Sequence, residues 1–412
     1  MLSRVASCVY WMNRQIERAE NVARAMETTL DLALEGTISH GRLWNALVCT
    51  FGDQADFQER HGQADQARVI SFLAFDLENP NSIATCFRAA RENARTVRDM
   101  ISTAMWEEIN KGHLEVQSAA QRYNGWLHPR EFLDEVKRAS QLITGVCDAT
   151  MSHGEAWHFG RLGRLIERAD KTSRVLDVEH YFKPAASRFA RPAGSSGAGS
   201  STDASSFARP TGSSGAGSST DASSVARPEA ASGAGSSTDA SSFAAVADWT
   251  DGDSVTIPRS VALVAESNSH AVEPLGGDAV QWSAVLESAS ALEMYRKQYG
   301  AVSRRNVVEF LVFDRFFPRA AHFCLIKAEE SLLAITGGSK GAYTNLAEQR
   351  LGRLRSKLDY GSIDEVLTGP GGLHSFIDGF QQRLNRASDA IHDTFFAVRP
   401  VGRAAEAGVG AS

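Results

Sequence analysis

Two stretches of this sequence, RQIERAENVAR at residues 14–24 and RLIERADKTSR at 164–174, set carboxylates and guanidinium groups at one shared spacing. Arg14 matches Arg164, Ile16 matches Ile166, Glu17-Arg18-Ala19 matches Glu167-Arg168-Ala169, and Arg24 matches Arg174, while Asp170 stands where Glu20 does. Arginine beside a carboxylate offers bidentate, charge-assisted hydrogen bonds, which serve either an ion-pair network or the capture of an anionic ligand. On a helical period Arg14, Glu17, Asn21 and Arg24 share one stripe, roughly opposite an apolar ridge, with Glu20 at the boundary. Arg164, Glu167, Lys171 and Arg174 form the matching stripe. Left in water, Glu20–Arg24 and Asp170–Arg174 would be i,i+4 pairs worth only about 0.2–0.5 kcal/mol each. So little energy does not account for six identities in eleven positions. The stripes are therefore expected to lie under a second layer of helices and to pin two halves together, and a ligand-holding role stays open beside that one.

A third charged cluster, RAARENARTVRD, runs from Arg88 to Asp99. Arg88, Arg91, Arg95 and Arg98 follow i, i+3, i+7, i+10 on one expected helix, with Glu92 and Asp99 as counter-charge. Convergent arginines of this kind could hold a carboxylate or phosphate, although an ion-pair network is the plainer use.

Other chemistry is weakly supported. Glu155 and His158 have the Glu-x-x-His spacing of a di-iron bundle, but no second copy exists, and His153 with His158 is too small a set for zinc. No metal or other cofactor is expected. TGGSKG at 336–341 lacks the spacing of a phosphate-binding loop, and no G-x-S-x-G elbow occurs. Trp11, Trp106, Trp126, Trp157, Trp249 and Trp282, with Tyr295 and Tyr299, read as core rather than as a pocket lining.

The elements that carry these residues read as helices throughout. Positions 5, 9, 12, 16, 19, 23, 26, 30 and 33 are all apolar, a 4-3-4-3 pattern that predicts one long amphipathic helix. Similar periodicity predicts helices near 41–50, 64–77, 81–109, 130–150, 153–181, 278–299, 304–313, 317–335, 343–358 and 371–397. Asn81-Ser82 should start the helix at 81–109, a Ser152/Glu155 capping box the one at 153–181, and Pro318 should occupy a first helical turn. The fold class is all-α, an internally duplicated multi-helix bundle.

From Phe189 an 18-residue unit, FARPAGSSGAGSSTDASS, recurs at Phe207 and Val225. One large apolar residue per unit cannot offset the backbone entropy of ordering it, so the segment is expected to be disordered. The chain divides into 1–182, the first part of a helical domain; 183–275, the low-complexity insertion; 276–397, the second part of the same domain; and 398–412, a disordered tail. The 43 basic and 49 acidic residues among 412 give a formal charge of −6, which argues against a nucleic-acid surface. Five cysteines, odd in number and widely spaced, read as reduced thiols, and no run approaches the ~20 apolar residues of a membrane span. A cytoplasmic location is expected.

Five blocks, in order, carry a family resemblance: MLSRVASCVYWMNRQIERAENVAR at the start, ARENARTVRDMISTAMWEEIN at 90–110, GRLIERADKTSRVLD at 163–177, QWSAVLESASALEMYRKQYG at 281–300 and FLVFDRFFPRAAHF at 310–323. Together they resemble the bacterial alpha-E family of helical domains, named for a Glu-Arg motif, over residues 1 to about 182 and about 275 to 397. The repeat insertion departs from that pattern, since family members have a much shorter connection there. The resemblance implies the company of circularly permuted ATP-grasp proteins and of transglutaminase-like proteins. It thereby implies an accessory, non-catalytic role beside an amide or peptide ligase. The alternative is an enzyme or binding module that recognises an acidic peptide or phosphorylated intermediate through the Arg/Glu stripes.

Overall fold

The computed structural model describes residues 1–36, 38–52, 54–123, 129–177 and 278–397. The three repeats, the tail, Trp126 and Trp249 lie outside the described residues, as does a second unit spanning Arg191–Ala271. Among the described residues there are 15 α-helices and no strand.

Helix α1 (Ser3–Glu35) is the longest, and it is buried on its charged stripe as well as on its apolar ridge. It is followed by α2 (His40–Phe51), α3 (Gln54–His61) and α4 (Gln66–Ile70), the last passing directly into a π-helical turn at Ser71–Phe75. Then come α5 (Ile83–Thr96), α6 (Thr103–Arg122), α7 (Pro129–Thr150) and α8 (Glu155–Leu176). The chain resumes with α9 (Asp278–Ser288), α10 (Leu292–Tyr299), α11 (Arg304–Phe313) and α12 (Ala321–Thr336). It ends with α13 (Leu346–Asp359), α14 (Ile363–Thr368) and α15 (Gly372–Phe395).

Helices α1 and α8 pack along each other at the centre. Helices α5 and α7 lie against α1, and α6 packs on both of them; α12 and α15 lie against α8, and α13 packs on both of those. The bundle therefore has two four-helix sets of the same order, α1-α5-α6-α7 and α8-α12-α13-α15, joined through their first members. One continuous apolar core runs through both sets, from Tyr10, Met12 and Phe87 to Phe159, Leu325 and Leu351.

Two glycines set the spacing at the centre. A Cβ on Gly163 would lie 2.4 Å from the Tyr10 carbonyl oxygen, and one on Gly160 would lie 2.6 Å from the Asn13 amide nitrogen. The backbones of α1 and α8 approach as closely as they do because these positions have no side chain.

Helix starts obey capping chemistry. Ser82, Ser102, Ser303, Asn345 and Ser362 each accept a hydrogen bond from the backbone N–H three residues on, worth about 1 kcal/mol apiece. The Ser102 cap explains why the expected helix 81–109 is two helices: the chain turns at Val97, where φ is −121° and ψ is 30°, and restarts at Thr103. Likewise 278–299 breaks at Ser290, whose φ of 48° is left-handed. Expected helix 64–77 is shorter, because the Asn79 side chain donates to the Phe72 carbonyl and ends the π turn. Pro318 precedes α12 rather than occupying its first turn, and Gly154, without a side-chain cap, starts α8 in place of the Ser152/Glu155 box. Helices α3 and α14 were not expected; at eight and six residues they are too short to show a period.

Gly163→Ala should destabilise the protein by about 1–3 kcal/mol or more, because its Cβ meets backbone, whereas Gly160→Ala meets a movable side chain and should cost less. Urea denaturation of the two variants against the parent checks the order.

Candidate functional site

The repeated phrases meet at the α1–α8 contact, and they exchange partners there. Arg18 clamps Glu167 with two bonds, Nε to Oε1 at 2.6 Å and Nη2 to Oε2 at 3.1 Å. Arg168 clamps Glu17 in the same way, at 2.8 and 2.7 Å. In each phrase the arginine next to the glutamate thus holds the glutamate of the other helix. Both carboxylates are withdrawn from water, Glu17 at 1% and Glu167 at 0% exposure.

Further cations close around them. Arg14 donates from Nε to Glu167 Oε2 at 2.8 Å and from Nη1 to Ser388 at 2.8 Å, and it stacks on Trp11. Lys171 reaches Glu167 at 3.5 Å and Asp170 at 3.1 Å, and Arg174 pairs with Asp170 at 2.9 Å. Glu20 accepts from Arg24 at 2.9 and 2.6 Å and from Ser140 at 2.7 Å. Arg24 also contacts Ser290 and so ties the left-handed turn after α9 to α1.

The sequence reading missed Arg319. From the turn before α12 it donates to Glu17 Oε1 at 3.3 Å and Asn21 Oδ1 at 3.1 Å, and it also pairs with Glu20. On the other side Asn81, in the turn before α5, accepts from Arg18 at 3.1 Å, while Arg168 donates to the Pro318 carbonyl at 3.4 Å. Pro80-Asn81 with Cys86 and Pro318-Arg319 with Cys324 share one spacing, and that was the available signal. Arg164 departs from the expected pattern. Its counterpart Arg14 reaches across to Glu167, whereas Arg164 faces Asp148 on α7 at 3.7 Å. A second asymmetry is the Asp170 Oδ1 atom, which is buried without a hydrogen bond.

Protonation states in the network are fixed. Burial alone would push the Glu17 carboxyl up, but Arg168 and Arg319, with hydrogen bonds from Arg168 and Asn21, outweigh it and hold the group down at about 2. For Glu167, burial is likewise overcome by Arg18, Arg14 and Lys171, and its carboxyl stays well below the ordinary 4.5. Asp170 is lowered against burial by Lys171 and Arg174. Arg319 is pushed down by burial and by neighbouring Arg168, with Glu20 and Glu17 opposing. The thiols of Cys86 and Cys324 are pushed up to about 12 by burial, although Arg18 and Arg168 respectively pull them down. None of the five cysteines is in a disulfide.

The third cluster does not converge. Arg88 donates to the Leu77 carbonyl, Arg91 to Asn110 and Glu92, and Arg95 to Glu92. Arg98 falls beyond the end of α5 and stacks on Trp106. The break at Val97 takes only Arg98 off the stripe; Arg88, Arg91 and Arg95 stay on α5, where each makes local contacts. Among the described residues no group of His, Cys, Asp and Glu could hold a metal ion. No helix there is long and apolar enough to cross a membrane.

An all-α bundle with its centre locked by exchanged Glu-Arg pairs is the class of protein that this geometry defines. The chain belongs to the Alpha-E family, described as a predicted alpha-helical domain with a conserved ER motif, whose model matches residues 1–197 and 256–396. No curated protein and no solved structure matches the chain.

Removing one partner of a buried pair leaves an uncompensated charge, so Glu167→Gln should destabilise by roughly 3–5 kcal/mol, and Glu17→Gln by a similar amount. Chemical denaturation of both variants reads this directly; exposed pairs would lose well under 1 kcal/mol. The pH dependence has a definite sign. Folding lowers both carboxyls from the ordinary 4.5, so their stabilisation is complete above about 4.5 and is lost as pH falls below it, through about 2 in the case of Glu17. Melting temperature should drop steeply across that window and less steeply in Glu17→Gln.

Proposed function

We propose that this protein is a non-catalytic, cytoplasmic accessory subunit of an ATP-grasp amide or peptide ligase system, built by duplication of a four-helix unit. The observation that carries the reading is the use of the Glu-Arg phrases. The glutamates at their centre, Glu17 and Glu167, are buried, clamped by arginines of the opposite phrase and held ionised, so the phrases serve assembly of the bundle. The equal helix order in the two sets, the exchanged clamps and the paired Pro80/Pro318 turns support duplication. The ATP-grasp association follows from the family resemblance, and a transglutaminase-like protein is the second expected companion. The ligand-binding alternative, in which Arg88, Arg91, Arg95 and Arg98 gather an acidic peptide or phosphorylated intermediate, has no converging geometry in its favour.

Co-expression with an ATP-grasp protein from the same genome tests the proposal. The two should co-purify and migrate together on gel filtration, and the ligase should make product faster with its companion than alone. A chain that elutes by itself at micromolar concentration and leaves ligase turnover unchanged would overturn the reading.

A further inference from the structure

The loop between α12 and α13, which contains TGGSKG at 336–341, borders a solvent-open cavity of about 280 Å³. That is far more than the ~10–15 Å³ that one water needs. Its wall includes Glu329 and Leu333 of α12, Lys340 and Tyr343 of the loop, and Gly352 and Arg353 of α13.

Glu329 is only 6% exposed, yet its carboxylate is half satisfied. Oε2 lies 2.6 Å from Arg355 Nε, without hydrogen-bond alignment. Oε1 makes no hydrogen bond and sits beside Gly352, where a Cβ would come within 3.0 Å of it. Oε2 is the buried oxygen, whereas Oε1 is accessible and has no donor within the protein, so a donor from outside can reach it. The neighbouring carboxylate is already employed: Glu348 accepts from the Thr344 backbone at 2.7 Å and from the Asn345 side chain at 3.0 Å as part of the α13 cap.

At the rim the imbalance is reversed. Lys340 and Arg353 are exposed and form no ion pair among the described residues. One cavity thus presents, on a largely buried glutamate, an accessible carboxylate oxygen without a protein donor, and at its rim two cations without an ion-pair partner. We propose that it binds a small amino-carboxylate zwitterion, a free amino acid or short peptide. The ammonium would donate to Glu329 Oε1 and the carboxylate would pair with Arg353 and Lys340. The inference rests on this cavity alone and stands apart from the ATP-grasp partnership.

Isothermal titration of the full chain decides it, with L-alanyl-L-alanine as probe beside its N-acetylated form, which lacks the ammonium, and its C-terminal amide, which lacks the carboxylate. The dipeptide should bind saturably at millimolar or lower concentration, and blocking either end should weaken binding tenfold or more. Arg353→Ala should weaken the free dipeptide by a similar factor at an unchanged melting temperature, because Arg353 holds nothing in the fold. Glu329→Gln should abolish the preference for the free amine over the acetylated form. Should Glu329→Gln fail to fold, the blocked peptides and Arg353→Ala still decide. No saturable heat, equal binding of all three peptides, or unchanged binding by Arg353→Ala would each overturn the proposal.

Discussion

The rest of the structure depends on two carboxylates, Glu17 and Glu167, taken completely out of water in the middle of a helix pair. Desolvating a carboxylate costs several kcal/mol, and only well-aligned guanidinium groups offset it. Here the bidentate clamps come from the opposite helix, so neither α1 nor α8 clamps its own glutamate, and Asn21, Lys171 and Arg319 only add to the pairing. Separating the two helices would leave both acids and their arginines exposed to an apolar surround. The halves are therefore bound to fold together. Register is fixed as well, since shifting one helix by a turn would break both bidentate clamps at once. Gly160 and Gly163 belong to the same device: without a side chain at these positions, the backbones come near enough for the arginines to span the gap.

Outer helices are drawn into the same lock at their starting points. The turn before α5 presents Asn81 to Arg18, and the turn before α12 presents Arg319 to Glu17 and Glu20. Ser140 brings α7 onto Glu20, and Ser388 brings α15 onto Arg14. A polar contact at each seam gives direction to packing that apolar side chains alone would leave adjustable, which is the best-attested use of buried polar groups. The two sides are not equal. Glu20 is satisfied by Arg24, Arg319 and Ser140, while Asp170 leaves Oδ1 without a partner, so the α8 side carries the weaker half of the network.

Much of this was legible in the chain before any coordinates. Long helices with sustained periods, α1, α7, α8 and α15, stand close to where the apolar spacing puts them, because a period summed over five or more turns outweighs local noise. The repeat of Glu17-Arg18 at Glu167-Arg168 pointed to covered stripes. Exchange between them could not be read, since a helical wheel shows which residues share a face and not which face opposes it. Arg319 was hidden because it lies in a turn, outside any periodic pattern. The break at Val97 escaped notice for a different reason: RENARTVRD has strong helix formers, and the stop depends on the Ser102 cap starting a new helix. The cavity at α12–α13 was invisible, as TGGSKG was judged against a phosphate-loop template that it does not fit.

Fixed protonation bears on what the lock can do. A general acid or base works best near the operating pH, whereas Glu17 is held at about 2 and the adjacent thiols Cys86 and Cys324 at about 12. These groups keep one charge state across the ordinary range, which suits a structural lock and not a proton-transfer site. The carboxylate at the α12–α13 loop differs in kind. Glu329 has a single cationic neighbour, an oxygen without a donor and an open volume in front of it. In the centre every charge that burial would penalise is answered from within the fold, with Asp170 Oδ1 the exception among the carboxylate oxygens. At the loop the answer is incomplete, and an incomplete polar site that faces open space is where a molecule from outside has something to add.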